Sequence, residues 1–229
     1  MHLRQIKSFA LRQGRMTRAQ KEAMDLLWPQ FSIDSKTQNF ADTLSLYSEI
    51  VLEIGFGMGD ALLAMAQAEP HKLFIGIEVH GPGVGRLLHL IGEHQVQNIR
   101  VIQCDAMTVL QDFFPADSLN QVHLFFPDPW PKKRHFKRRI VQTEFANLIA
   151  QKLKLYGIFH LATDWKDYAQ HMMKTLSNAP SFINLAGINQ YADRTGRPLT
   201  KFENRGIQLG HEIFDLRFQK NSFTTPSKI

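Results

Sequence analysis

The sequence holds a single cysteine, Cys104, among 229 residues. No internal disulfide can form, so a packed core must hold the fold together, and the usage fits a reducing compartment. No apolar run approaches the ~20 residues of a membrane-spanning helix, and the first residues lack the apolar stretch of a secretory signal. There is no Cys-x-x-Cys pair and no His-Glu-x-x-His helix, and the ten histidines show no ligand spacing, so no metal is expected. These absences lead to the expectation of a cytoplasmic protein with no membrane contact and no obligatory protein partner.

Acids are missing from two segments. Residues 1–21 carry Arg4, Lys7, Arg12, Arg15, Arg18 and Lys21, and residues 132–139 carry Lys132, Lys133, Arg134, Lys137, Arg138 and Arg139, with no Asp or Glu in either. With these twelve of the 27 basic residues set aside, 15 stand against 21 acids, so the formal charge of +6 is concentrated in two places. Two cationic patches on an otherwise acidic chain suit a polyanion such as a nucleic-acid backbone. A solvated charge run is the plain alternative for each. An arginine-bearing, acid-poor start is also shared by mitochondrial presequences, although serine is scarce here.

What is present is an α/β pattern. Residues 1–45 are polar and basic and read as an arm and linker, and residues 46–229 read as one globular domain. From Glu49 onward, short apolar runs predict strands at Ile50–Ile54, Leu73–Glu78, Ile99–Gln103, Gln121–Phe126, Gly157–Ala162, Phe182–Leu185 and Ile213–Phe218. Amphipathic segments at Asp60–Ala68, Val84–Glu93 and Ala106–Phe114 alternate with the first four. Strand–helix alternation of this kind implies a doubly wound sheet, with ligands bound beyond the carboxyl ends of its strands.

The first strand runs into Gly55-Phe56-Gly57-Met58-Gly59, where backbone must pass close to a ligand. A dinucleotide site is the rival reading, but the spacing is G-x-G-x-G, and Glu53 within the strand would repel a pyrophosphate while suiting an aminoacyl sulfonium. Glu78, about 20 residues beyond the turn, suits ribose hydroxyls. Asp105, followed by Ala106, suits an adenine amino group, with a helix N-cap as its bland alternative. The fourth strand ends in Phe126-Pro127-Asp128-Pro129-Trp130-Pro131-Lys132-Lys133-Arg134-His135, where three prolines fix the backbone around one carboxylate.

With these residues in view, the sequence resembles the bacterial tRNA (guanine-N7-)-methyltransferase family. The likeness runs from Arg12-Gln13-Gly14-Arg15-Met16-Thr17 through the glycine turn, Gly76-Ile77-Glu78-Val79-His80 and the proline loop to Thr200-Lys201-Phe202-Glu203 and Leu209-Gly210-His211. It implies a Rossmann-like class I methyltransferase, with a seven-stranded, mostly parallel sheet, helices on both faces and an antiparallel C-terminal strand. It implies S-adenosylmethionine as methyl donor, S-adenosylhomocysteine as product, and N7 of a guanine in tRNA, expected at position 46 of the variable loop, as acceptor.

On that resemblance Glu53, Gly55, Gly57, Gly59, Glu78, Asp105, Ala106 and Asp128 are cofactor-contacting, with Asp128 also catalytic. Lys132, Asp164, Thr200, Lys201, Phe202 and Glu203 are substrate-contacting, and Arg134, His135, Lys137, Arg138 and Arg139 lie in an RNA-interacting stretch. Asn204 departs from the basic residue that many relatives carry after Thr-Lys-Phe-Glu. Guanine N7 is an exposed lone pair that needs no general base, so alignment is the main catalytic task. Trp130 or Trp165 is available to stack on the base, or to pack. A small-molecule methyltransferase and a binding-only RNA protein are the competing functions.

Overall fold

Continuous apolar runs give strands that are covered on both faces. The computed structural model describes residues 8–9, 14–33 and 40–222, without the side chains of 40, 41, 201 and 202. In it β1 (Ile50–Ile54) and β2 (Leu73–Ile77) are buried at every position, and β3 (Ile99–Ile102) is buried at all but Arg100. β4 (Leu119–Phe125), β5 (Leu153–Thr163), β6 (Phe182–Asn184) and β7 (Phe214–Lys220) complete one seven-stranded sheet in the order β3-β2-β1-β4-β5-β7-β6. The ladder from β3 to β5 is parallel, and β7 runs antiparallel to both β5 and β6. This is the expected mostly parallel sheet with its antiparallel C-terminal strand.

Alternation along β1 assigns the two faces. Leu52 and Ile54 join Val109, Phe145, Tyr168 and Met172 in one core, beneath α5 (Ala106–Asp112), α6 (Thr143–Lys152) and α7 (Lys166–Ser177). Val51 joins Leu62, Leu87 and Ile91 in the other, beneath α1 (Arg18–Phe31), α3 (Asp60–Ala68) and α4 (Gly81–His94). Two short helices, α2 (Phe40–Ser45) and α8 (Lys201–Gln208), complete the set. Among the described residues no helix is long and apolar enough to cross a membrane.

Strand order reverses between β1 and β4. The chain steps outward from β1 to β3, then returns to place β4 on the other side of β1. The loops after these two strands therefore diverge and leave a crevice, which is where such sheets bind ligands. Both the glycine turn and the Asp128 loop leave from this point.

The reading of the first 45 residues as arm and linker is corrected for 18–33. Residues 18–31 form α1, which packs on α4 and buries Ala23 and Phe31. Ile33 then donates its N–H to Val101 O at 2.9 Å, pairing against the otherwise open edge of β3. The missed signal is Thr17-Arg18-Ala19-Gln20. Thr17 Oγ1 accepts from the Gln20 N–H at 3.3 Å and Gln20 Oε1 accepts from the Thr17 N–H at 2.8 Å, a reciprocal cap.

Candidate active site

The turn after β1 is held open by backbone conformation. Gly55, Gly57 and Gly59 have φ of 74°, 59° and 82°, where side chains are strained. A Cβ at Gly55 or Gly57 would meet nothing within 4 Å, so the space beside them is open. Close packing is instead the work of Gly59, whose Cβ would lie 2.8 Å from Leu87, and of Gly83, whose Cβ would lie 2.1 Å from the Gly57 carbonyl oxygen. The sequence reading missed Gly83, because a helical glycine announces no ligand contact. Glu78 ties this turn to the end of β2: Oε2 accepts from the Gly57 N–H at 2.9 Å, and Oε1 accepts from Val79 and His80 at 2.7 and 3.0 Å.

A cavity of about 380 Å³ opens between the glycine turn and the end of β4. Gly55, Glu78, Ala106 and Asp128 line it together, with Ile77 and Leu124 among its apolar walls. Its size is that of a small-molecule cleft with few polar groups. Glu53 is 3% exposed, Oε2 has no hydrogen-bond partner among the described residues, and burial, then the Glu78 charge, raise its pKa from 4.5 to about 8. Glu53, Gly57 and Gly59 do not line this cavity, although Ile54 and Gly55, the residues that follow Glu53, do. Asp105 does not line the cavity, although Cys104 and Ala106 on either side do. Its Oδ1 caps α5 through Met107 and Thr108 at 2.9 and 3.4 Å, so the plain reading of this acid holds for that oxygen.

The proline loop presents Asp128 as the prolines imply. Phe126 and Trp130 take φ of 51° and 44°, strained values for non-glycine residues, at either end of Pro127-Asp128-Pro129. Asp128 is exposed at the tip and makes no hydrogen bond or ion pair to a described residue. Trp130 is occupied, because its Nε1–H donates to Ser8 O at 2.9 Å, Arg138 lies 4.5 Å over its ring, and His135 meets it edge-on at 5.7 Å. Ser8 and Phe9 also line the cavity, and a Cβ at Gly14 would lie 3.5 Å from His80 Nε2 at the start of α4. Ser8, in the first basic segment, thus touches the loop that leads into the second.

One member of the second patch is corrected. Lys132, Lys133, Arg134 and Lys137 are exposed, but Arg139 is 2% exposed and faces inward. Its Nε donates to Pro129 O at 2.9 Å, its Nη2 pairs with Asp167, and its guanidinium lies 3.7 Å over Phe136 and 4.9 Å over Tyr168. It anchors the loop to α7 and is not available to RNA. Arg139→Ala should therefore lower stability by about 2–4 kcal/mol, from a buried carbonyl left unpaired and lost packing. The Arg134→Ala, Lys137→Ala pair should leave the melting temperature alone and reduce the salt slope of RNA binding by about 1.5 units. Denaturation and filter binding from 50 to 200 mM salt separate the two, and a shallower slope in Arg139→Ala alone would reverse the assignment.

Asp164 follows β5, the neighbour of β4, and its Oδ2 lies 3.3 Å from His211 Nδ1. Trp165, 42% exposed, is the tryptophan left free to stack. Thr200 caps α8, its Oγ1 accepting from the Glu203 N–H at 3.0 Å, while the side chains of Lys201 and Phe202 lie outside the described residues. Glu203 is fully buried and ion-paired to Arg194 and Arg197, so its expected role as a direct substrate contact is also corrected.

A family model described as "Putative methyltransferase" matches residues 47–216. A curated tRNA (guanine-N(7)-)-methyltransferase from Hydrogenovibrio crunogenus is 51% identical over 222 residues, covering 96% of this chain and 92% of the relative. The chain belongs to the tRNA (guanine-N(7)-)-methyltransferase family. Another relative of that name, from Klebsiella pneumoniae, is 50% identical over 221 residues, covering 95% of this chain and 92% of its own. Solved methyltransferases share the fold at low identity. The 16S rRNA methyltransferase KamB aligns with TM-score 0.58 and 12% identity over 82% of this chain and 95% of its own. The 16S rRNA (adenine(1408)-N(1))-methyltransferase of Catenulisporales acidiphilia, solved with cosubstrate SAM, aligns with TM-score 0.58 and 13% identity, over 86% and 95%.

Proposed function

We propose that this enzyme transfers a methyl group from S-adenosylmethionine to N7 of a guanine in tRNA, at position 46 of the variable loop. The observation that carries the reading is the cleft at the reversal of strand order, where Glu78 and Asp128 line one cavity with Gly55 and the Asp128 loop runs on into exposed cations. The residues fit the donor. Glu78 has lone pairs left for a ribose after its three backbone contacts; Asp105 and Glu53 lie next to the lining residues Ala106 and Ile54, and Glu53 Oε2 has no hydrogen-bond partner among the described residues, which a cationic aminoacyl sulfonium would provide. Bound there, the donor supplies an electrophilic methyl group.

The protein's own part is alignment. Asp128, exposed on a backbone that cannot relax, accepts from guanine N1 or N2 and turns N7 toward the donor. Asp164 and Trp165 grip the base from the neighbouring strand end. The cations Lys132, Lys133, Arg134 and Lys137 hold phosphates. A small-molecule substrate would leave these cations without purpose, and a binding-only protein would not need the cleft.

Incubation with labelled donor and unmodified tRNA, followed by chemical cleavage at N7-methylguanine, should give one cut, in the variable loop. Label on a small metabolite, or donor binding without transfer, would refute the proposal.

A further inference from the structure

The excursion between β6 and β7 carries a buried cation that the proposed alignment does not use directly. Arg197 is 6% exposed, and its fork is divided between acids on two elements. Nη1 and Nη2 donate to Glu203 in α8 at 2.5 and 2.8 Å, and Nε and Nη2 donate to Asp215 in β7 at 2.7 Å each. His160 on β5 adds a bond to Asp215 Oδ1 at 2.8 Å, and Arg194 adds one to the Glu203 Oε1 at 2.8 Å. The guanidinium lies 5.6 and 5.5 Å from the ring centres of Phe125 and Phe126, the end of β4 and the start of the loop that presents Asp128.

A single side chain thus touches the exit of β4, the first turn of α8 and the last strand. Burial opposes ionisation of both acids, yet Arg197 with its neighbours holds Glu203 and Asp215 below their ordinary values. A buried ion cluster is an inefficient source of stability, because desolvation offsets most of the attraction, and apolar residues of the same shape would bind α8 to the sheet as well. What a planar five-donor fork adds is fixed geometry in two directions at once. Thr200 hangs from the same cluster through the Glu203 backbone N–H.

We infer that Arg197 is a positioning residue for the methyl transfer, fixing the Thr200–Glu203 segment relative to the Asp128 loop. The inference rests on the proposed reaction. Its cost when disturbed is misplacement, and an error of about 1 Å in a substrate-holding element costs roughly 100-fold in rate. Donor affinity should change little, because no α8 residue with a described side chain lines the cleft, and Arg197 meets the Phe125 and Phe126 walls only across their rings.

The test uses the full chain, unmodified tRNA and saturating donor in single turnovers. Arg197→Lys keeps the charge and loses the fork, so the rate should fall about 100-fold with the donor Kd within about twofold of wild type. Thr200→Ala added to Arg197→Lys should cost little more, although Thr200→Ala alone slows transfer, since both act through one segment. A wild-type rate in Arg197→Lys, additive losses, or a lowered melting temperature with an unchanged rate per folded molecule would each overturn the role. Should Arg197→Lys fail to fold, Glu203→Gln, which leaves Arg197 paired with Asp215, should show the same loss of rate with donor affinity retained, and full activity there would overturn it as well. Wild-type protein that forms no N7-methylguanine would overturn the underlying reaction instead.

Discussion

Asp128→Ala should lower the rate of methyl transfer to tRNA by about a thousandfold while the protein melts within about 2 °C of the wild type. The two halves of this expectation have separate causes. The carboxylate is exposed and makes no hydrogen bond or ion pair to a described residue, so its removal disturbs no internal contact, and such surface changes usually stay within ±0.5 kcal/mol. The loop is shaped by its prolines and by the Arg139 bond to Pro129 O, none of which depends on the Asp128 side chain. Function has no such insurance. Two hydrogen bonds from a guanine to a charged acceptor are each worth about 1.5–3 kcal/mol, and with them goes the alignment of N7, so about 4 kcal/mol of barrier is at stake. Single-turnover rates beside a thermal melt decide the matter. A variant with near-normal turnover would remove Asp128 from the catalytic position.

Glu53→Gln should do the reverse of most buried substitutions and stabilise the protein at pH 8. The pKa of Glu53 is raised in the folded state from 4.5 to about 8 by burial and then by Glu78. A group with a raised folded pKa contributes fully below its unfolded pKa and loses that contribution as pH climbs through the folded value. Between about pH 4.5 and 8 the unfolded chain gives up a proton that the native chain retains, so stability declines across that window. Glutamine cannot ionise and should recover on the order of several kcal/mol at pH 8 while changing little at pH 4.5. The same exchange should weaken donor binding at least about tenfold, since a cation bound against the carboxylate favours its ionised form. Binding to wild type at pH 7 should release up to one proton, and binding to the variant none from this group. Calorimetry in buffers of different ionisation enthalpy, with denaturation at the two pH values, reads both effects. Equal stability at pH 8, or equal donor affinity, would take Glu53 out of the site.

Much of the sheet was legible. β1 through β4 coincide with apolar runs to within a residue or two, and α3 begins and ends where its pattern does. The apolar pattern shows the long β5 only from Gly157, because Lys154 and Tyr156 interrupt the run that starts at Leu153. α1 was hidden by its charge. Its mean composition is that of a solvated segment, and the few residues it buries count only once α4 is there to receive them.

The site divides in the same way. Glycine spacing, three prolines around an acid and acids at strand ends are local facts, fixed by backbone allowances a few residues long; they marked where the cleft opens, and the family followed from the resemblance that these motifs carry. Which charges face RNA was not local. Arg139 belongs to a run of six cations yet turns inward because Asp167, Phe136 and Tyr168 receive it, and Glu203 sits in a motif that reads as exposed yet is buried against Arg197. A charge can leave water only where partners from other elements replace its solvation, and Arg197 with Asp215, Arg139 with Asp167 and Trp130 with Ser8 lie 18, 28 and 122 residues apart. Tertiary structure decided those placements because the compensating groups exist together only after the chain has folded.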